Sequence, residues 1–279
     1  MRLRSLLYVE LTKLRRQRLA VTTVIAPLLV GLLLPQLIWL FGGPRATPAR
    51  GFYVFAWSLE LALLMGVYLL LLQAALSIVV DRHDKTLRNL LVAPVWRGRI
   101  IAVRWLALQG IALLLLALLA AGVFLSTAIH FEFGEIYEEA IEPLATVEEL
   151  RTYTLIGLAK LILPLAAVVS VGVLVSVLTV APATAAGVAL GLLLLLDIVK
   201  SIASANSSFR LWLFNSYLPT LFDDSSYWNG VTAYAQGITD VLWMADAPEH
   251  GYGIFIPLGT VVVCFGLSLF VFLRGEYSE

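Results

Sequence analysis

The chain has 279 residues, 60% of them hydrophobic and 14% charged, and its mean hydropathy is +0.91. Soluble domains run at about 45–50% apolar and about 25% charged. A water-soluble interior has no room for this excess, so much of it must face lipid. Nineteen basic and nineteen acidic residues cancel to a net charge of zero, a balance that gives no sign of a nucleic-acid partner but conceals a strong segregation along the chain.

A helix crosses a bilayer in about 20 mainly apolar residues. Lipid cannot satisfy bare backbone groups, so only helices or closed barrels cross, and no alternating ten-residue barrel pattern is present. The expected fold is therefore an all-α integral membrane protein. Its spans are predicted at roughly 19–41, 54–80, 100–128, 153–179, 182–200 and 252–273 by that length rule. Two domains follow: a cytoplasmic amphipathic helix at 1–18 and a six-span membrane domain at 19–279.

The first element carries Leu3, Leu7, Leu11 and Leu14 at helical spacing, with Ser5, Thr12 and Arg16 opposite. Such a helix lies in the membrane interface, its basic residues meeting anionic headgroups. Glu10 is the odd member. At 100° per residue it falls on the apolar flank beside Leu3 and Leu14. It pairs either with Lys13 at i+3 or with a basic residue elsewhere. The segment is too long and charged for a signal leader, and the apolar run after it exceeds the usual signal core. That run is expected to stay as the first span.

The connection between the second and third spans, 81–99, is basic: Arg82, Lys85, Arg88, Arg97 and Arg99, with Arg104 just beyond. Leu87, Leu90 and Leu91 form a short stripe at i, i+3 and i+4, and Pro94 closes the helix that carries it. The stripe needs a surface: the membrane, the bases of the spans, or a partner subunit. The next connection, 129–152, is acidic, with Glu132, Glu135, Glu138, Glu139, Glu142, Glu148 and Glu149 against Arg151 alone. Thr146 and Glu149 give a capping-box pattern leading into the fourth span. Arg45 and Arg50, between the first two spans, dissent mildly. The basic segments mark the cytoplasmic side, so both termini are expected inside an inner or plasma membrane.

Val180, Ala181 and Pro182 separate the fourth and fifth spans, with Pro182 suited to a first helical turn. In the fifth, Ala183, Gly187 and Gly191 recur at i+4 and admit a close helix neighbour, either in a second copy or in the same chain. The connection 201–251 is outside, yet aromatic and apolar, with Phe209, Trp212, Phe214, Tyr217, Trp228, Tyr234 and Trp243. It reads as an interfacial or re-entrant helix pair, or as a folded external loop. Cys264, the one cysteine, is expected to pack as a small apolar residue of the last span.

Ionisable residues within spans call for a functional hypothesis. Glu60, Lys160, Asp197 and Lys200 lie near the predicted outer ends, where water or snorkelling serves them, and Asp197 and Lys200 have pairing distance at i, i+3. Gln73 sits deeper, facing a pathway or bonding a neighbouring helix. No row of deep carboxylates marks a proton relay.

Three features together resemble the ABC transporter permeases of the second exporter type, the group of bacteriocin-immunity and bacitracin-resistance permeases. They are Glu10-Leu-Thr-Lys13-Leu-Arg-Arg16 ahead of the first span, Asp84-Lys-Thr86-Leu87-Arg-Asn-Leu90-Leu91-Val-Ala-Pro94 with Arg97, Arg99 and Ile100-Ile101 after it, and the six-span layout with a long external connection before the last helix. Many members carry Glu, then Gly or Asn, before the Thr-Leu pair; here Asp84 and Lys85 stand there. The resemblance implies a translocation pathway in this chain and energy from a separate ABC-type ATPase subunit. Asp84, Thr86, Leu87, Leu90, Leu91 and Pro94 would then form the coupling helix that docks on the ATPase. It further implies a second permease copy or a related permease. No cofactor is expected in this chain, ATP and magnesium belonging to the ATPase. The absence of G-x-x-x-x-G-K-[ST] agrees, because no phosphate cradle can be built here.

Two rival readings remain. Asp81-Arg-His-Asp84 has the D-x-x-D spacing with which intramembrane prenyltransferases hold magnesium, although such a metal needs several oxygen ligands. The chain is otherwise a membrane anchor for an ATPase that transports nothing itself.

Overall fold

A computed structural model of the chain describes residues 7–10, 12–13, 17–42, 51–84, 96–138, 142–202, 212–219, 221, 231–232, 235 and 249–274. Six helices are long and apolar enough to cross a membrane. They are α1 (Arg18–Gly42), α2 (Gly51–His83), α3 (Arg97–Ala128), α4 (Val147–Leu178), α5 (Pro182–Ile202) and α6 (Glu249–Arg274). Residues 7–10 and 12–13, ahead of α1, are also helical. The chain is thus an all-α, multi-pass membrane protein.

Burial orders the bundle. α4 and α2 are the most enclosed spans and α6 and α1 the least. α4 packs against α2 and α6, α1 lies across α2 and α3, and α5 leans on α2. A main apolar core runs through them, centred on Leu59, Leu63, Leu70, Leu115, Val168 and Val173, and a smaller cluster gathers Phe52, Leu150 and Ala235. Lipid offers helices no hydrophobic drive to associate, so close contact and hydrogen bonds must hold them. Gly172 supplies the contact: a Cβ there would lie 2.5 Å from Ala74 Cβ and 3.0 Å from the Leu71 carbonyl oxygen. One turn further, Ser176 Oγ accepts from the backbone N–H groups of Ile78 at 2.9 Å and Val79 at 3.1 Å. Trp105 Nε1 donates to Ser170 Oγ at 2.9 Å, tying α3 to the same helix.

The helix ends follow local chemistry more than hydropathy. α4 starts at Val147, six residues before its apolar run, because Thr146 and Glu149 close a capping box there. Pro182 opens α5, as its fixed φ and missing N–H suit a first turn. At the far end of α4, Arg82 Nη1 donates to the Thr179 carbonyl at 3.0 Å and satisfies a carbonyl past the helix end.

The connection from α3 to α4 holds an element absent from the sequence reading. Strands β1 (Ile136–Glu138) and β2 (Glu142–Ala145) pair antiparallel, with an irregularity between Ile136 and Tyr137. Three to four residues of strand give too short an alternation to stand out among glutamates. The external segment 201–251 lies largely outside the described residues. Within it Phe214–Tyr217 forms a 3-10 turn.

Candidate functional site: an ionic cluster where three segments meet

The spans bring four ionisable side chains together at the end of the bundle that bears the 81–99 connection. Arg104 stands in the second turn of α3 and is 2% exposed, although arginine is rarely buried without a partner. Its Nη2 donates to Glu10 Oε1 at 2.9 Å and also to Asp81 Oδ2. Its Nη1 donates to the Ser77 carbonyl at 2.8 Å. Lys13 Nζ reaches both oxygens of Asp81 at 2.5 Å. Two acids and two bases thus neutralise one another in a pocket closed by the N-terminal segment, α2 and α3.

The planar fork of a guanidinium suits this position, since it can address several oxygens in fixed directions. Of the two partners open to Glu10, Arg104 is the one it takes, and Lys13 turns to Asp81 instead. Beside the cluster, Gln73 Nε2 donates to Gln17 Oε1 at 3.2 Å, a second tie between α2 and the entry to α1. Gln73 therefore bonds a neighbouring segment.

The cluster stands at both roots of the 84–94 segment: Asp81 is three residues before it and Arg104 ten after. Asp84 lies exposed in the turn that follows α2. Thr86, Leu87, Leu90, Leu91 and Pro94, and Arg16 in the N-terminal segment, lie outside the described residues. The D-x-x-D pair is split, with Asp81 buried and engaged by Lys13 and Arg104 while Asp84 faces outward. Among the described residues, no group of three or more His, Cys, Asp or Glu is placed to hold a metal ion.

Arg104 is the residue the sequence reading missed. In the sequence it falls with the basic flank, because Arg97 and Arg99 precede it. The signal lay in its surroundings, Ile100-Ile101-Ala102-Val103-Arg104-Trp105-Leu106, which place it inside the span.

A second polar group sits towards the other end of the bundle. Asp197, 1% exposed, accepts from Tyr68 Oη at 2.7 Å and from Asn215 Nδ2 at 3.0 Å. It joins α5, α2 and the 3-10 turn. Glu60 accepts from Thr232 Oγ1 at 3.1 Å. On the outside of α5, Ala183, Gly187 and Gly191 are exposed, and among the described residues no atom outside the helix's own turn lies within 4 Å of where a Cβ on either glycine would stand. These small residues do not pack against the described spans of their own chain.

A family model described as "ABC-2 family transporter protein" matches residues 6–194, from the N-terminal segment through the ionic cluster into α5. No curated protein matches the sequence.

Proposed function

This chain belongs to the ABC-2 family of transporter proteins, as a multi-pass membrane permease, and on that premise we propose that it forms the translocation pathway of an ATP-driven exporter. A separate ABC-type ATPase subunit supplies the energy and holds the ATP and magnesium; this chain carries no cofactor and catalyses no reaction. The 84–94 segment is the coupling helix, with Leu87, Leu90 and Leu91 in a groove of the ATPase.

The observation that supports this reading is the ionic cluster at the roots of that segment. A coupling helix can drive a pathway only if its push moves the spans as rigid bodies. Arg104 and Asp81 join the two helices that carry the segment, and Glu10 and Lys13 add the N-terminal helix to the same block. Movement of the ATPase would then reach α2, α3 and the start of α1 together. Alternation further requires that the two states bind the ATPase differently. The prenyltransferase alternative is weakened, because Asp81 spends its oxygens on Lys13 and Arg104.

The permease works as a pair, either two copies or this chain with a related permease. The open stripe of Ala183, Gly187 and Gly191 is the contact face, since small residues let membrane helices approach closely. Both termini and the coupling segment lie in the cytoplasm, by the distribution of basic residues. The N-terminal residues 1–18 act as an interfacial helix and 19–279 as the permease domain.

A mild-detergent pull-down from the native membrane, with the bound proteins identified, tests the reading. A stoichiometric P-loop ATPase is expected, and Leu87→Asp with Leu90→Asp should release it while leaving the chain inserted. No ATPase even after cross-linking would overturn the exporter reading.

A further inference from the structure

At the end of the bundle opposite the ionic cluster, a cavity of about 440 Å³ opens between α3 and α4. That volume lies within the roughly 300–1,000 Å³ typical of small-molecule sites. Its wall is a chain of four phenylalanines. Phe52 meets Phe133 edge-on at 5.0 Å, Phe133 stacks on Phe124 at 4.9 Å, and Phe124 meets Phe55 edge-on at 6.3 Å. Ala121 on α3 and Arg151 on the first turns of α4 line it as well, and the small Ala121 side chain leaves the space before the rings open. Phe124 is 48% exposed, so the cavity opens on the surface of the bundle rather than into its interior.

Apolar walls alone would say only that lipid passes by. Charge says more. Arg151 is the one basic residue of the 129–152 connection, and among the described residues none forms an ion pair with it. It precedes the apolar run that the sequence predicts from residue 153, which puts it in the interfacial zone by the length rule, and the phenylalanines would receive a chain beneath it. Around it the surface is acidic: Glu132 and Glu148 are exposed, and Glu149 is held in the cap of α4. A headgroup with net negative charge meets repulsion there, and one without a phosphate offers the guanidinium nothing. A zwitterionic headgroup satisfies both, with its phosphate on Arg151 and its ammonium towards the glutamates.

We propose that this cleft is a binding site for a zwitterionic glycerophospholipid, with one acyl chain along the four phenylalanines and the phosphate held by Arg151. Its assignment to the outer leaflet rests on the orientation proposed above. The binding does not, because a micelle has no leaflets.

The test is native mass spectrometry of the purified full-length chain, titrated in detergent with phosphatidylethanolamine, phosphatidylglycerol or diacylglycerol. Saturable retention of phosphatidylethanolamine, at least tenfold tighter than either other lipid, is expected. Arg151→Gln should weaken it about tenfold, Arg151→Lys should keep most of it, and Ala121→Trp should abolish it by filling the space. Leu195→Trp, on an exposed face of α5, should bind as the original chain does. Equal retention of the three lipids, a preference for phosphatidylglycerol, unchanged binding in Arg151→Gln and Ala121→Trp, or an equal loss in Leu195→Trp would overturn the site.

Discussion

Arg104 Nη2 lies 2.9 Å from Glu10 Oε1, across a sequence separation of 94 residues. The bond fixes the N-terminal segment against α3, and the same guanidinium holds Asp81 and the Ser77 carbonyl of α2. One side chain therefore sets three segments relative to one another. Buried ion pairs contribute little net stability compared with apolar replacements, but removing one partner leaves charges stranded. The cluster accordingly acts as a constraint on arrangement.

Arg104→Ala should lower the unfolding free energy by about 3–5 kcal/mol, because Glu10 and Asp81 lose their shared cation. Arg104→Lys should restore only part, since an ammonium is a compact charge without the fork that spans three oxygens. Glu10→Gln should cost less than either loss, as its amide oxygen still accepts. Thermal unfolding in detergent ranks the three, and an Arg104→Ala protein as stable as the original chain would remove the cluster from any structural role.

Hydropathy made the spans legible in the sequence because crossing a membrane demands length and apolarity, and little else meets that demand. Thr146, Glu149 and Pro182 marked helix starts through local chemistry that needs no distant partner. The cluster was half legible. Glu10 on the apolar flank announced that a cation was needed, but which one depended on how α3 packs, 94 residues away. Arg104 looked like one more basic flank residue beside Arg97 and Arg99. Asp81 looked like a metal ligand through its spacing to Asp84, because sequence spacing does not show that α2 ends between them. Likewise, the sequence spaces Asp197 to pair with Lys200 on its own helix, while its hydrogen bonds from Tyr68 and Asn215 reach it from other elements.

The glycines on α4 and α5 should respond in opposite ways. At Gly172 an alanine Cβ would press on Ala74 Cβ at 2.5 Å and on the backbone of α2, which has no rotamer to yield. Overpacking of this kind costs about 1–3 kcal/mol. At Gly187 nothing among the described residues outside its own helical turn lies within 4 Å, so Gly187→Ala should gain up to about 1 kcal/mol in helix propensity. Melting temperatures of the two variants in one detergent decide the matter. A stabilised Gly172→Ala protein would mean that α2 and α4 stand further apart.

Tyr68→Phe removes the hydroxyl that donates to Asp197 at 2.7 Å and leaves Asn215 as the remaining donor found for that carboxylate. A hydrogen bond to a charged group contributes about 1.5–3 kcal/mol, and the variant should lose that much. Pairing it with Asp197→Asn should cost less than the two single changes added, since they remove the same bond. Strict additivity of the unfolding free energies would show that the two groups do not interact.

The orientation can be read with a membrane-impermeant maleimide, because the chain has one cysteine, Cys264, within α6. In a Cys264→Ala background, a cysteine at Glu148 should react in intact cells, since it is exposed at the start of α4 on the acidic side. A cysteine at Arg99, exposed at the start of α3, should react only after the membrane is opened. The basic residues about 81–99 favour the cytoplasm because they resist translocation, whereas glutamates contribute little to that choice. Arg45 and Arg50 oppose the assignment from the other side, and they are outnumbered by the basic residues flanking the first span and filling the 81–99 connection. Labelling in the reverse order would turn the bundle over. The ionic cluster would then face outward, out of reach of a cytoplasmic ATPase, and the coupling role of the 84–94 segment would fall with it.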